Sequence, residues 1–286
     1  MMESVYYAKY LGDGLYAIAE KHHPDNHHYV MMYLVIGEKK AALIDCGFGV
    51  VDSLRTFVEK LTDKPIVCLI AHGHPDHAGA AALFDEIYMN PKDEVLLPVS
   101  LSYQRRMDDV FGGRGLYGEG LKEYCEKHIV LTEKLYYKPM KDGDVFDLGG
   151  KQLEVVAIPG HTPGSVAIMN RAENYALTSD CFSVRTALVK MPPEKRLGLT
   201  LYRDGLARFM SMIDENTKIY WGHHEAPMEH EIPLDMLHAC NNVLDGKTEN
   251  DVPSNSPFSK RLEAQGTKMM EHTHGRVILV YNANTL

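Results

Sequence analysis

Short apolar runs bounded by Gly, Pro or polar turn residues recur along this chain. Runs of this kind that are rich in branched side chains are typical of buried strands. On this pattern we predict strands over residues 29–36, 41–44, 65–71, 153–158, 175–178 and 276–281. The first two runs flank a polar turn after Gly37, which predicts a β-hairpin.

Segments with apolar residues at helical spacing lie between these runs. They predict helices over residues 51–61, 78–84, 99–110, 116–128, 201–213 and 233–244. Pro75 and Asp76 precede the second segment and suit a first helical turn. Strands interleaved with helices predict an α/β (α+β) fold with mixed sheets. We expect one domain over residues 1–286, with a helical insertion at about 92–128 and a loop over 251–257.

Composition and charge exclude some classes of function. Of the 286 residues, 45% are hydrophobic, which is enough for a substantial core. The formal net charge is -9, and nucleic-acid binding depends on Lys and Arg that displace counterions, so we expect no nucleic-acid partner. The five cysteines are scattered and form no CxxC pair, so neither a disulfide framework nor a thiolate zinc site is indicated.

The same features bear on location. Scattered cysteines suit a reducing compartment. The first residues lack a basic region followed by an apolar run, and no stretch approaches the length that spans a bilayer. We therefore expect a cytoplasmic protein without a membrane partner.

The densest chemical signal is the segment His72-x-His74-x-Asp76-His77, directly after a predicted strand. Residues two apart in an extended turn project the same way, so His72 and His74 can face one metal ion. Asp76 and His77 then turn with the chain and can face a second. Imidazole and carboxylate without thiolate favour zinc, or manganese, iron or cobalt. Taken alone, the segment also fits a histidine-rich loop that binds no metal.

Five motifs in chain order carry a resemblance to a known family. They are ALIDCG at 42–47, HGHPDH at 72–77, PGHTPGS at 159–165, LTSD at 177–180 and WGH at 221–223. Together they resemble the signature of the metallo-β-lactamase-fold superfamily. The resemblance implies a four-layer αββα sandwich, in which two mixed β-sheets are flanked by helices. Position 179 is Ser where Gly is common in this family.

The resemblance also implies a ligand set for two divalent metal ions, zinc first, with manganese or iron as alternatives. The first ion would be held by His72, His74 and His161, the second by Asp76, His77 and His223, with Asp180 bridging both. Asp76 would also orient a metal-bridging hydroxide or accept its proton. Asp45 would steady the ligand loop by hydrogen bonds. His224 follows His223 directly and is the alternative ligand.

The residues of these motifs, especially PGHTPGS, are most similar to those of the glyoxalase II-like and lactonase-like branches of that superfamily. It implies a hydrolase that cleaves a small ester, thioester or lactone, with a small molecule as its substrate. Two alternatives on the same fold stay open, namely a persulfide-type dioxygenase with one iron and a phosphodiesterase or nuclease. A homodimer is also left open.

Two further segments have no assigned role. In the insertion, Tyr103, Arg105, Arg106 and Tyr117 either line a substrate pocket or pack against the scaffold. The histidines within residues 22–28 predict a turn between two strands rather than a metal tract.

Overall fold

A computed structural model of the chain describes residues 5–21, 30–111, 119–188, 191, 193–264 and 266–286. The predicted turn over 22–28 lies outside these residues. So do residues 116–118 of the predicted helix 116–128, which include Tyr117.

The first sheet spans the N-terminal half of the described chain. Its strands, in their spatial order, are β1 Tyr6–Gly12, β2 Leu15–Glu20, β3 Val30–Ile36, β4 Ala41–Ile44, β5 Ile66–Ile70, β6 Glu86–Met89 and β7 Lys138–Pro139. Strands β1 to β4 pair antiparallel, which confirms the predicted hairpin of β3 and β4. From β4 to β7 the pairing is parallel, so the sheet is mixed as predicted.

The second sheet has the order β14-β13-β11-β10-β9-β8. Its strands are β8 Val145–Asp147, β9 Gln152–Ala157, β10 Val166–Asn170, β11 Tyr175–Leu177, β13 Lys218–Trp221 and β14 His224–Met228. Strand β10 is antiparallel to both β9 and β11, and β11 is parallel to β13. The carboxyl ends of β9, β11 and β13 therefore lie at the same edge.

A third sheet of order β12-β17-β16-β15 adds to the two that were expected. Its strands are β12 Arg185–Ala187, β15 Val252–Pro253, β16 Met269–His274 and β17 Val277–Asn282. Strand β15 lies inside the segment predicted as a loop, where it pairs with β16.

The helices of the described residues are mostly short. They are α1 Leu54–Val58, α2 Pro75–Ala78, α3 Leu97–Ser100, α4 Tyr103–Phe111, α5 Glu119–His128, α6 Leu197–Met212, α7 Glu231–Leu244 and α8 Pro257–Glu263. None of them, over the part of the chain that the structure describes, is long and apolar enough to cross a membrane. Short 3-10 helices cover Ala81–Leu83, Pro91–Leu96 and Ala283–Thr285.

The predicted α-helix 78–84 is wrong, because the α-helix here is the single turn α2, which ends at Ala78, and only the short 3-10 helix Ala81–Leu83 follows it. The loop after β4 takes the hydrogen bonds that a longer helix would use. The amide of Cys46 donates to the carbonyl of His77 at 2.9 Å, and the amide of Gly79 donates to the carbonyl of Gly47 at 2.9 Å. The chain therefore leaves the helix one turn after Pro75.

Alternating side chains on the strands produce the layers. On β3, Met31, Tyr33 and Val35 pack against the second sheet, while Met32 and Leu34 pack towards the helices of the N-terminal half. The outer face of the second sheet packs against α6 and α7, and β17 belongs to the same core. The result is the expected αββα order, with the third sheet added beside α6 and α7.

Arg106 of α4 is buried and holds the insertion to the scaffold. Its guanidinium donates hydrogen bonds to backbone carbonyls of Phe48, Gly49, Gly79, Leu101 and Val130. Burial lowers the pKa of Arg106 to about 10, so the group stays charged at neutral pH. The two interpretations of Arg106 are thus decided in favour of packing, since the side chain ties α4 to the turn that follows α2.

We expect Arg106→Lys to lower the free energy of unfolding by about 2–4 kcal/mol, because a point-like ammonium cannot reach carbonyls on several segments. Urea titration at equilibrium measures the change. Arg105→Lys is the matched control, since Arg105 pairs with Asp109 in a partly exposed bridge on the same helix. It should cost less than about 1 kcal/mol. Equal losses in both variants would contradict the clamping role of Arg106.

Candidate metal centre

The residues of the HGHPDH, PGHTPGS, LTSD and WGH motifs follow the carboxyl ends of strands. His72 comes two residues after β5, and α2 then carries Asp76 and His77. The loop from β9 to β10 carries His161, Asp180 follows β11, and His223 lies between β13 and β14. Strands of both large sheets therefore deliver these residues to a common edge.

Backbone hydrogen bonds join the two sheets at this edge. The amide of Val166 donates to the carbonyl of Ala71 at 3.0 Å, and the amide of Met31 donates to the carbonyl of Gly222 at 2.8 Å. The Tyr33 hydroxyl donates to the carbonyl of Trp221 at 2.9 Å. These bonds fix the distance between the loops that carry the candidate ligands.

His72, His74 and His161 form the first group, which we call the three-histidine group. One ring nitrogen from each lies within 4.8 Å of the others. His161 Nε2 is 2.9 Å from His74 Nδ1. Nitrogens bound to one tetrahedral zinc ion lie about 3.3 Å apart, so small adjustments would seat an ion here.

Asp76, His77, Asp180 and His223 form the second group, which we call the acidic group. His223 Nε2 is 3.0 Å from Asp180 Oδ2 and 3.5 Å from Asp76 Oδ2. His77 Nε2 is 3.5 Å from both of these oxygens. Two carboxylates and two imidazoles thus converge on one space.

Asp180 lies between the two groups. Its Oδ2 is 3.0 Å from His223 Nε2 in the acidic group and 3.7 Å from His161 Nε2 in the three-histidine group. A side chain at Gly222 would prevent this placement, since a Cβ there would lie 2.2 Å from Asp180 Oδ1. The glycine of the Gly-His motif is therefore required for the approach of Asp180.

The two groups differ in their protonation. Burial lowers the pKa of His74 to about 3 and also lowers that of His72, helped in each case by neighbouring histidines. In the acidic group, burial also disfavours the charged imidazole, but the attraction of the neighbouring carboxylates for that charge is larger than the effect of burial. Burial lowers the pKa of His223, yet Asp180 raises the value to about 9. Asp76 and Asp180 likewise raise the pKa of His77.

A divalent ion fits these donors. Among the described residues, the buried Nε2 atoms of His72 and His77 make no hydrogen bond. A metal ion is a natural partner for such a nitrogen, because the ring has a lone pair there whenever that nitrogen carries no proton. His72 is neutral already, whereas His77 must first lose a proton. The donors are imidazole and carboxylate, whereas the neighbouring thiol of Cys181 is buried and belongs to neither group. Burial raises the pKa of Cys181, which makes it unreactive.

Asp45 orients His77 by a hydrogen bond to Nδ1, the ring nitrogen that points away from the acidic group. Its Oδ2 is 2.8 Å from His77 Nδ1, and its Oδ1 accepts the amide of Ala71 at 2.8 Å. The Ser179 hydroxyl donates to Asp45 Oδ2 at 2.7 Å. Ser179 has φ +46°, a left-handed conformation that glycine adopts more easily than serine. The hydroxyl compensates by bonding Asp45.

His224 points away from both groups. Its ring stacks on Trp221 with centroids 5.6 Å apart, and its Nδ1 accepts the amide of Ala226. The structure therefore brings His223 to the acidic group and leaves His224 exposed. That the seven candidate residues bind metal remains a prediction.

Sequence reasoning missed Asp93, a buried carboxylate that joins the loops of the three-histidine group. Its Oδ2 accepts the amide of Gly73 at 2.8 Å and the hydroxyl of Thr162 at 2.7 Å. Its Oδ1 accepts the amide of Gly164 at 2.6 Å. Nothing in the local sequence marks Asp93, since it lies in a polar stretch typical of a surface turn.

Comparisons with known proteins show sequence similarity to one superfamily and to two named hydrolases. The family model of the metallo-beta-lactamase superfamily matches residues 26–188. The acyl-coenzyme A thioesterase MBLAC2 of Homo sapiens is 24% identical over 200 residues, covering 61% of this chain and 66% of that protein. The hydroxyacylglutathione hydrolase GloC of Haemophilus influenzae is 30% identical over 152 residues, covering 50% and 61%.

A solved structure supports the fold over nearly the whole chain. It is a metallo-beta-lactamase family protein from Thermus thermophilus, with a TM-score of 0.57 and 19% identity. The match covers 96% of this chain and 100% of that protein. At this identity the likeness speaks for the fold alone.

We predict that Asp93→Asn weakens metal binding at the three-histidine group by roughly 10–100-fold, because an amide NH₂ would face backbone donors and release the two loops. The acidic group should change little. Cobalt(II) titration followed by absorption separates the two groups by their ligands. Glu94→Gln is the control, since the exposed Glu94 side chain accepts a hydrogen bond from the Tyr137 hydroxyl and none from the loops of the three-histidine group among the contacts described. Equal weakening of both groups would contradict a local role for Asp93.

We also predict that the two groups differ in proton release. At pH 7 the metal-free His77 and His223 carry protons, because their pKa values are raised, so an ion must displace them. Affinity at the acidic group should therefore rise from pH 7 to 9, by about tenfold per pH unit for each proton. His72 and His74 are already neutral, so the three-histidine group should show little change.

Calorimetric zinc titrations in two buffers of different protonation enthalpy measure the protons released. The variant His223→Gln should release one proton fewer than the unmodified protein. Equal proton release on filling both groups would show this assignment to be wrong.

Proposed function

The chain belongs to the metallo-beta-lactamase superfamily, and from this premise we propose that it is a hydrolase with two divalent metal ions that cleaves small thioesters. Zinc is the preferred metal on the donor set, with manganese or iron as alternatives. The seven candidate ligands are His72, His74, Asp76, His77, His161, Asp180 and His223.

The position of Asp180 carries the proposal. One oxygen of this carboxylate faces nitrogens of both groups at 3.0 and 3.7 Å, as expected of a ligand shared by two ions. Two ions held by these residues would supply a water of lowered pKa and would polarise the carbonyl of a bound acyl group. A centre with one ion would leave either the acidic group or the three-histidine group without a cation.

The exposure and the charge of the side chains around the centre indicate where substrate enters and which group accepts the proton. Asp76 is partly exposed at 21% and His223 at 38%, whereas His77 is buried, so substrate reaches the centre from the side of Asp76 and His223. Burial would raise the pKa of Asp76, but His77 and His223 hold it below its ordinary value. Asp76 is therefore ionised at neutral pH and can orient the attacking water and accept its proton.

The substrate class follows from the relatives. The MBLAC2 and GloC proteins are named as an acyl-coenzyme A thioesterase and a hydroxyacylglutathione hydrolase, and both names denote cleavage of a thioester. The net charge of -9 favours a small molecule over a nucleic acid. Oxyesters and lactones present the same acyl carbonyl and rank second.

Protein reconstituted separately with zinc, manganese and iron should hydrolyse acyl thioesters with a higher kcat/KM than matched oxyesters, lactones or bis-aryl phosphates. Asp180→Ala should lower kcat/KM by more than about 10³-fold and remove metal with activity, because both ions lose a ligand. Asp45→Ala should cost roughly 10–100-fold, since it only orients His77. Metal content and thiol release measure both effects.

Two outcomes would contradict the proposal. One iron per chain with thiol-dependent oxygen uptake would indicate the dioxygenase chemistry. Preferred cleavage of bis-aryl phosphates would indicate a phosphodiesterase.

A further inference from the structure

A second cluster of metal-binding side chains lies where α7 meets the hairpin of β16 and β17. Asp235 and His238 are three residues apart on α7, so they share one face of the helix. His274 is the last residue of β16. One ligand atom from each lies within 4.8 Å of the other two, and none of the three belongs to the groups described above.

The hairpin turn holds the carboxylate in place. The amide of Arg276 donates to Asp235 Oδ2 at 2.9 Å. Gly275 has φ +52°, and a Cβ there would lie 2.2 Å from the same oxygen. A larger residue at position 275 would therefore displace the Asp235 carboxylate from the turn. Ligands of metal sites commonly have such supporting contacts, because these orient the donor before the ion arrives.

The two imidazoles are also positioned. Their ring centroids are 5.4 Å apart, with the planes nearly perpendicular at 83°. The side-chain amide of Asn242, one turn beyond His238 on α7, lies 3.2 Å from His274 Nδ1 and holds that ring. His238 is exposed, so its side chain can rotate to complete the coordination.

The local charge favours a cation. The guanidinium of Arg276, which follows Gly275 in the hairpin turn, forms ion pairs with Glu229 and Glu231, and these offset its charge. Asp235 then contributes a carboxylate beside two imidazoles. Two nitrogen donors and one oxygen suit zinc, copper or nickel and are a poor match for magnesium or calcium, which prefer oxygen ligands.

We propose that Asp235, His238 and His274 form an accessory site for a late first-row divalent cation. Water would complete the coordination on the exposed side. A bound ion would link α7 to the β16–β17 hairpin and so fasten the third sheet to the helical layer. This role is separate from hydrolysis and does not depend on the proposed substrate.

The proposal is tested by zinc titration of the whole chain after the three-histidine group and the acidic group have been loaded with zinc. We expect one additional zinc per chain, which His238→Ala abolishes and a large excess of magnesium does not displace. His128→Ala is the matched control, because His128 is another surface histidine on a helix and lies in no such cluster of the described residues. It should retain the additional zinc. The additional zinc should also raise the melting temperature of the unmodified protein but not that of His238→Ala.

Retention of the additional zinc by His238→Ala, with unchanged affinity, would overturn the proposal, as would its absence from the unmodified protein. His238→Gln, checked by circular dichroism, serves as a second variant that keeps the side-chain volume. Asp180→Ala should lose the central metal and keep the accessory zinc. Failure of the accessory site is thereby distinguished from failure of the proposed hydrolase centre.

Discussion

Backbone hydrogen bonds between the two large sheets, at the edge where their strands end, are the constraint on which the rest of the structure depends. The bonds from Val166 to Ala71 and from Met31 to Gly222 hold loops of different sheets at a fixed separation. Side chains that follow β5, β9, β11 and β13 can therefore meet there without being neighbours in the chain. The layered core behind this edge makes the arrangement rigid, because both inner faces are closely packed apolar side chains.

Charge balance is the second constraint at this edge. Asp76 and Asp180 lie close together, and in the absence of an ion the histidines beside them hold protons to offset their charge. The three-histidine group has no such carboxylate of its own and stays neutral. The site is thus asymmetric before any ion binds. We therefore expect the two halves to differ in their affinity for cations and in the competition from protons.

Buried polar side chains fasten the remaining pieces to the centre. Asp93 ties the loop after β5 to the loop after β9, and Arg106 ties α4 to the turn that follows α2. Each satisfies several backbone groups that would otherwise be buried without partners, at a cost in free energy. Asp235 has a similar role nearer the surface, where its carboxylate accepts the amide of Arg276 and so joins α7 to the β16–β17 hairpin.

The sequence by itself determined the α/β class with mixed sheets, the β3–β4 hairpin and the cluster of candidate ligands from His72 to His77, because strand patterns and ligand spacing are local properties of the chain. The remaining candidate ligands, His161, Asp180 and His223, were assigned from the resemblance of their motifs to those of the superfamily. Sequence reasoning missed strands such as β10 and β13, which are short and become strands by pairing with neighbours in the sheet. It also extended α2 too far, since the end of that helix depends on Gly47. Only the tertiary structure decided the roles of Asp93 and Arg106 and the meeting of Asp235 with His274. These depend on contacts between residues far apart in sequence, such as the 69 positions from Asp93 to Thr162, and no local pattern encodes them.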